Sequence, residues 1–220
     1  TYTPDVALSV DTWYILKVTS TQNLIPCTEE SNAIKVTVIN FAPGSIDADQ
    51  TICEGATPAS LTSVASSGDG TKAYQWEFSL DGTSFNTIGG AINATYAPAS
   101  LSADTWYRRL ATATLNTVSC TEISDTVLIT VNNFDPGNIA ADQTICENTA
   151  AAPLTSVTPT GDGIFTYKWY RSTDGTSFNV IGTAISETYS PGLLTQDTWY
   201  YREVTSTLGT NTCIERTDTV

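Results

Sequence analysis

The chain is 220 residues long, carries 23 acidic against 9 basic side chains and no histidine, and has a formal net charge of −14. That balance argues against a nucleic-acid partner, whose phosphates need Lys and Arg to neutralise them. The missing imidazole removes Ser-His-Asp and Cys-His catalysis together with the commonest zinc ligand.

Taken in chain order, the sequence repeats every 93 residues. Asp-Thr-Trp-Tyr stands at 11–14, 104–107 and 197–200, and Asp-Gln-Thr-Ile-Cys-Glu at 49–54 and 142–147. The period is too long for a solenoid unit of about 20 to 50 residues and has the size of a small domain. It divides the chain into the C-terminal half of one repeat (1–43), a complete repeat (44–136) and a third repeat lacking most of its last strand (137–220). Asn-Phe-Ala-Pro-Gly at 40–44 and Asn-Phe-Asp-Pro-Gly at 133–137 mark the junctions, where Pro and Gly end strands and few contacts are expected to cross. These residues show no membrane span, signal peptide or anchor.

Within the complete repeat, runs rich in Thr, Ser, Val, Ile, Tyr and Trp predict strands near 46–52, 59–65, 72–79, 85–88, 95–97, 105–114 and 122–132. Gly68-Asp69-Gly70, Asp81-Gly82 and Gly89-Gly90 supply turns between them. Seven short strands without sustained helical periodicity predict an all-β fold, tandem immunoglobulin-like β-sandwich domains. Alternation in the last strand puts Val127, Ile129 and Val131 inward and Thr126 outward. Trp76 and its copy Trp169 are expected as core aromatics, with Tyr14, Tyr107 and Tyr200 resembling a tyrosine corner.

The cysteines follow the same period: Cys27, Cys120 and Cys213 form one series, Cys53 and Cys146 the other. One intradomain disulfide per repeat predicts Cys53–Cys120 and Cys146–Cys213, with the partner of Cys27 upstream of residue 1. The rival pairing, Cys27–Cys53 and Cys120–Cys146, is disfavoured because about eleven extended residues carry the chain roughly 36 Å from Cys120 to the junction. Bridged Cα atoms must lie within about 7 Å. Paired cysteines imply an oxidising place outside the cytoplasm.

No catalytic, metal or cofactor site is expected. Asp47 and Asp49 form a carboxylate pair, but Asp47 becomes Ala140 in the next copy. The four Asp-Gly pairs read as hairpin turns rather than calcium loops; junctional calcium would have to use Asp47, Asp49 or Asp135. All five tryptophans fall on two repeated positions, which points to structure. Binding residues are sought where the copies differ, at 112–119 and 205–212, read as a loop at one pole.

Several of these features recur as a set. They are Ile-Cys-Glu at 52–54, Tyr-x-Trp at 74–76, Ser-x-Asp-Gly-Thr-Ser-Phe at 79–85, Thr-Tyr-x-Pro at 95–98, Asp-Thr-Trp-Tyr, and a late Cys before Val-x-Ile-x-Val at 127–131. The whole chain thereby resembles the tandem immunoglobulin-like repeats of giant secreted cell-surface adhesins of gliding bacteria (SprB-like, type IX secretion). The resemblance implies a non-enzymatic stalk or adhesive segment of an extracellular filament in gliding motility or surface attachment. Its partners would be an extracellular surface or polysaccharide, and the secretion and gliding machinery through other regions. Asp-Thr-Val at 125–127 and 218–220 resembles an O-glycosylation acceptor of such bacteria, at Thr126 and Thr219. The alternative is a spacer or carbohydrate-binding module of a secreted polysaccharide hydrolase; a third option is a structural surface-layer component.

Overall fold

The structure is a computed structural model that describes residues 2–4, 6–62, 64–155 and 157–220. All regular elements among them are strands. The central repeat is organised on one five-stranded sheet, in the order Gln50–Cys53, Val118–Asn132, Thr105–Leu115, Thr71–Ser79 and Asn86–Thr87. Neighbours run antiparallel except Gln50–Cys53, which lies parallel to the end of the long strand with Cys53 opposite Asn132. Thr105–Leu115 turns into Val118–Asn132 through Asn116 and Thr117, both at positive φ (48° and 71°). A two-residue turn of that hand matches the right-handed twist of the strands it joins. Residues 112–119 are therefore the tip of a tight hairpin, correcting the reading of a loop.

The facing layer is less regular. The expected strand 59–65, in which Ser63 lies outside the described residues, is held by single links. Leu61 and Tyr96 exchange backbone hydrogen bonds (2.7 and 3.1 Å), while Asp47 N–H donates to Thr62 O and Val64 N–H to Ser45 O. The expected strand 46–52 accordingly divides. Its start joins this layer, and Gln50–Cys53 crosses to the main sheet. Asp49 assists by accepting from Leu128 N–H (2.8 Å), and Asp125 by accepting from Ile46 N–H (2.7 Å).

Between the layers lie Ile46, Leu61, Trp76, Tyr107, Val127 and Ile129. Trp76 has no exposed surface, and its indole N–H donates to Asn93 O (2.9 Å), so burying the ring strands no polar atom. Trp76, Tyr96 and Tyr107 form an aromatic row with centroids 5.8 Å apart at each step. The third repeat duplicates it with Trp169, Tyr189 and Tyr200. Tyr14 is only half-buried in the first segment, where Lys17–Gln22 and Ile25–Glu30 are exposed throughout.

The Asp81-Gly82 and Asp174-Gly175 turns are locked by their carboxylates. Asp81 Oδ1 accepts from Thr83 N–H and Ser84 N–H (both 2.7 Å) and from the Ser79 hydroxyl (2.8 Å), and Asp174 repeats the pattern. Gly82 is needed because a Cβ there would sit 3.3 Å from the Trp106 ring, on a backbone at φ 72°.

The donors around Asp81 and Asp174, led by the backbone N–H groups of Ser84 and Ser177, hold both carboxyls far below the usual carboxylate range. A depressed folded-state pKa gives stability that is present above the unfolded value near 4 and lost as pH falls below it. The Tm advantage of the wild type over Asp81→Asn/Asp174→Asn is therefore expected to be largest at neutral pH and to shrink between pH 5 and pH 2 in thermal melts.

Candidate functional site

The residues that connect one repeat to the next are packed into the repeat that follows. Phe134–Asp135 pairs antiparallel with Thr160–Gly161, and Phe41–Ala42 pairs with Ser67–Gly68 in the same way. Asp162 N–H donates to Asn133 O and Asp69 N–H to Asn40 O, both at 2.9 Å. In return the Asp162 and Asp69 carboxylates accept from Asn133 and Asn40 N–H. The junctions are thus densely bonded, correcting the expectation that few contacts cross them. Gly in these runs serves close approach: at Gly44 (φ 77°) a Cβ would lie 2.1 Å from Val64 O, and at Gly137 (φ 67°) 2.2 Å from Val157 O.

A buried arginine clamps each linker. Arg109 is fully buried, and its guanidinium donates to Ala94 O (2.6 Å), Pro43 O (2.8 Å) and Val64 O (3.5 Å). Arg202 does the same with Glu187 O (2.9 Å), Pro136 O (2.6 Å) and Val157 O (3.5 Å). Tyr74 lies 4.6 Å under the Arg109 guanidinium and Tyr167 5.2 Å under that of Arg202. Desolvation pulls both arginines below their ordinary pKa, opposed by those same tyrosines, yet a guanidinium starts so high that it stays cationic. The sequence reading missed these residues. The signal was parity: on Thr105–Leu115 the buried positions are 105, 107, 109, 111 and 113, and Arg109 stands in that register.

Beyond the linker a small second core forms from Phe134, Val204 and Cys213, with Cys53, Phe165 and Tyr167 against it. Phe134 and Phe165 pack with centroids 5.7 Å apart. Asn132, at the end of the central repeat, is 1% exposed and accepts from the Ser206 hydroxyl of the next repeat (2.9 Å). Asn211 Nδ2 donates back across the junction to Thr51 O (3.2 Å). One period earlier the same two positions hold the apolar residues Ile39 and Ala113.

A disulfide completes the contact: Cys53 of the central repeat is bonded to Cys213 of the next, with Cα atoms 5.6 Å apart. Cys27, Cys120 and Cys146 are thiols. This corrects the expected Cys53–Cys120 and Cys146–Cys213 pairs. Cys53 sits beside Asn132, and Cys120 lies twelve residues back along the same extended strand, about 40 Å away. The two cysteines of one repeat occupy opposite poles, and only a neighbour brings complementary ones together.

The other named residues are placed as follows. Trp76, Trp169, Tyr107 and Tyr200 are buried core residues. Thr126 and Thr219 are exposed, while the preceding Asp125 and Asp218 brace Ile46 and Ile139 N–H. Asp49 and Asp135 are engaged with Leu128 and Gly137 N–H. Among the described residues no cluster of three or more His, Cys, Asp or Glu could hold a metal ion, and no helix is long and apolar enough to cross a membrane.

A family profile described as "Domain of unknown function (DUF8696)" matches residues 42–133 and 135–220. No curated protein matches the chain. Among solved structures, it is similar to domains A168-A170 from titin, at 13% identity and TM-score 0.38, over 94% of this chain and 73% of that one. It is also similar to the FN1-FN3 domains of chicken CNTN1, at 13% identity and TM-score 0.32, with the same coverage of 94% and 73%.

Two substitutions test the junction. Arg202→Leu removes the donors to three carbonyls, each charged hydrogen bond contributing about 1.5–3 kcal/mol, so urea unfolding is expected to show a loss of at least about 3 kcal/mol. Ser206→Ala alone leaves the buried Asn132 Oδ1 without its donor, and Asn132→Ile alone leaves the Ser206 hydroxyl only Asp162 O, whereas the two together place Ile and Ala there, as at positions 39 and 113. A double-mutant cycle is expected to give a favourable coupling of about 1 kcal/mol or more.

Proposed function

The chain belongs to that family of domains, and from this premise we propose that it is a stalk segment of a large extracellular, cell-surface adhesin filament, serving attachment or gliding, rather than an enzyme. One observation carries the reading: both linkers are bonded into the repeat that follows, and at the second junction a disulfide and polar contacts also join the two repeats, as a stiff shaft requires. A flexible spacer between a catalytic domain and its substrate needs the reverse, a linker that samples many orientations. A bridge between repeats also fits an oxidising exterior.

In this reading the filament is exported by the type IX route and reaches an external surface or polysaccharide. Binding is distributed along the shaft, where many weak contacts add up. The exposed Thr126 and Thr219 are its O-glycosylation acceptors, protecting outward faces of the sheet without disturbing the core.

The test is made on intact source cells with an antibody against the central repeat. Surface labelling of long filaments, a very large polypeptide on immunoblots and loss of attachment when antibody is added are the expected results. A polypeptide of ordinary enzyme size, found in the medium with a polysaccharide hydrolase domain, would overturn the proposal in favour of a spacer or carbohydrate-binding module. Small-angle scattering of the chain supplies an independent check: a rod with a single inter-repeat angle is expected, and a broad distribution of angles contradicts a stiff shaft.

A further inference from the structure

The bridge between Cys53 and Cys213 spans 160 residues. That is one 93-residue period more than the 67 separating the early and late cysteines of a single copy. No other pair among the five cysteines has this spacing. We propose that the bridge is a repeating element of the array. Where the array continues with this repeat, Cys120 bonds the early cysteine of the copy before it, and Cys146 bonds the late cysteine of the copy after it. The partner is another copy of the same domain, met head to tail.

Three observations carry this. The two cysteines of a repeat lie at opposite poles, so neither has an intradomain option. The surroundings of Cys120 copy those of bonded Cys213: each stands on the strand after the hairpin tip, opposite Ala113 or Ser206, and both of these are fully buried. The docking that precedes the bridge is also present at the first junction, through Phe41, Asn40 and the Arg109 clamp on Pro43. Cys120 therefore stands on its repeat as Cys213 does on the next, and the linker that precedes it is docked in the same way. Each bridge forms from two thiols that release two protons and pass two electrons to a disulfide-bearing oxidant by thiol–disulfide exchange.

The consequence is mechanical. Cys146 follows Cys120 by 26 positions, and this segment includes residues 120–132 of the strand Val118–Asn132 and the paired stretch Phe134–Asp135. It crosses two repeats in a largely extended path, and fully stretched it reaches only about 90 Å. In the bridged array, tension passes along such segments and across disulfides from one to the next. A sandwich between them can lose its fold without releasing its length. The inference concerns the junction alone and does not depend on what the filament holds.

Native protein from its source, alkylated before lysis and digested without reduction, tests the pairing by mass spectrometry. Cross-linked peptides at the 160-residue offset, involving Cys120 and Cys146 as well as Cys53 and Cys213, are expected. Alkylated Cys120 and Cys146, or peptides linked at the 67-residue offset, would overturn the proposal. The mechanical arm pulls the folded 220-residue chain by its ends. Without reductant, the 160 residues enclosed by the bridge are expected to stay out of the released length, a shortfall of roughly 550 Å that reductant restores. Equal release with and without reductant would overturn the mechanical part. Because reductant is added to folded protein, the comparison does not require a cysteine-free variant to fold.

Discussion

The buried guanidinium of Arg109, copied in Arg202, is the interaction on which the rest of this architecture depends. A cation withdrawn from water is tolerated only when its donors are satisfied. Here the terminal NH groups donate to backbone carbonyls of three separate segments, at Pro43 in the linker, Val64 and Ala94. Those carbonyls converge because Gly44 takes a positive φ and lets the chain lie against Val64 O. The arginine thus makes the linker part of the repeat that follows it. It acts together with the strand pairs that residues 41–42 and 134–135 make with the same repeat.

Once the linker is fixed, the remaining contacts follow in sequence. Phe134 is carried into a pocket beside Phe165 and Val204, Asn132 meets Ser206, and Cys53 comes within bonding range of Cys213. Each contact joins one pole of the central repeat to the opposite pole of the next, so the interface is head to tail. Such heterologous contacts do not close on themselves and generate extended assemblies. The arrangement also protects the main sheet, since Gln50–Cys53 pairs along the end of the long strand that would otherwise offer an open edge.

Much of this fold was legible in the sequence because its causes are local. Alternation in Thr71–Ser79 and Val118–Asn132 reports which side chains face the core, and Trp76, Tyr107, Val127 and Ile129 are buried accordingly. The Asp81-Gly82 and Asp174-Gly175 turns are short-range chemistry and lie where the pattern places them. The irregular facing layer was harder to read: Leu61 and Tyr96 are joined by one bridge between distant residues, which leaves little periodicity. Proline and glycine at the junctions were legible as breaks in strand structure. Their role in close approach was hidden, because a glycine looks the same in a loose linker and against a carbonyl oxygen.

The cysteines divide the two kinds of information most clearly. The 93-residue period and the two cysteine series are properties of the sequence alone, as are the all-β class and the identity of the core aromatics. Which cysteine meets which was decided by tertiary structure. An extended strand converts the twelve residues between Cys120 and Asn132 into about 40 Å, and the parallel pairing that sets Cys53 beside Asn132 is a long-range contact. Spacing along a chain gives distance only when the path between two residues is known. Here the path runs from pole to pole, so residues that are neighbours in the repeat are remote in space, and residues 160 positions apart are bonded.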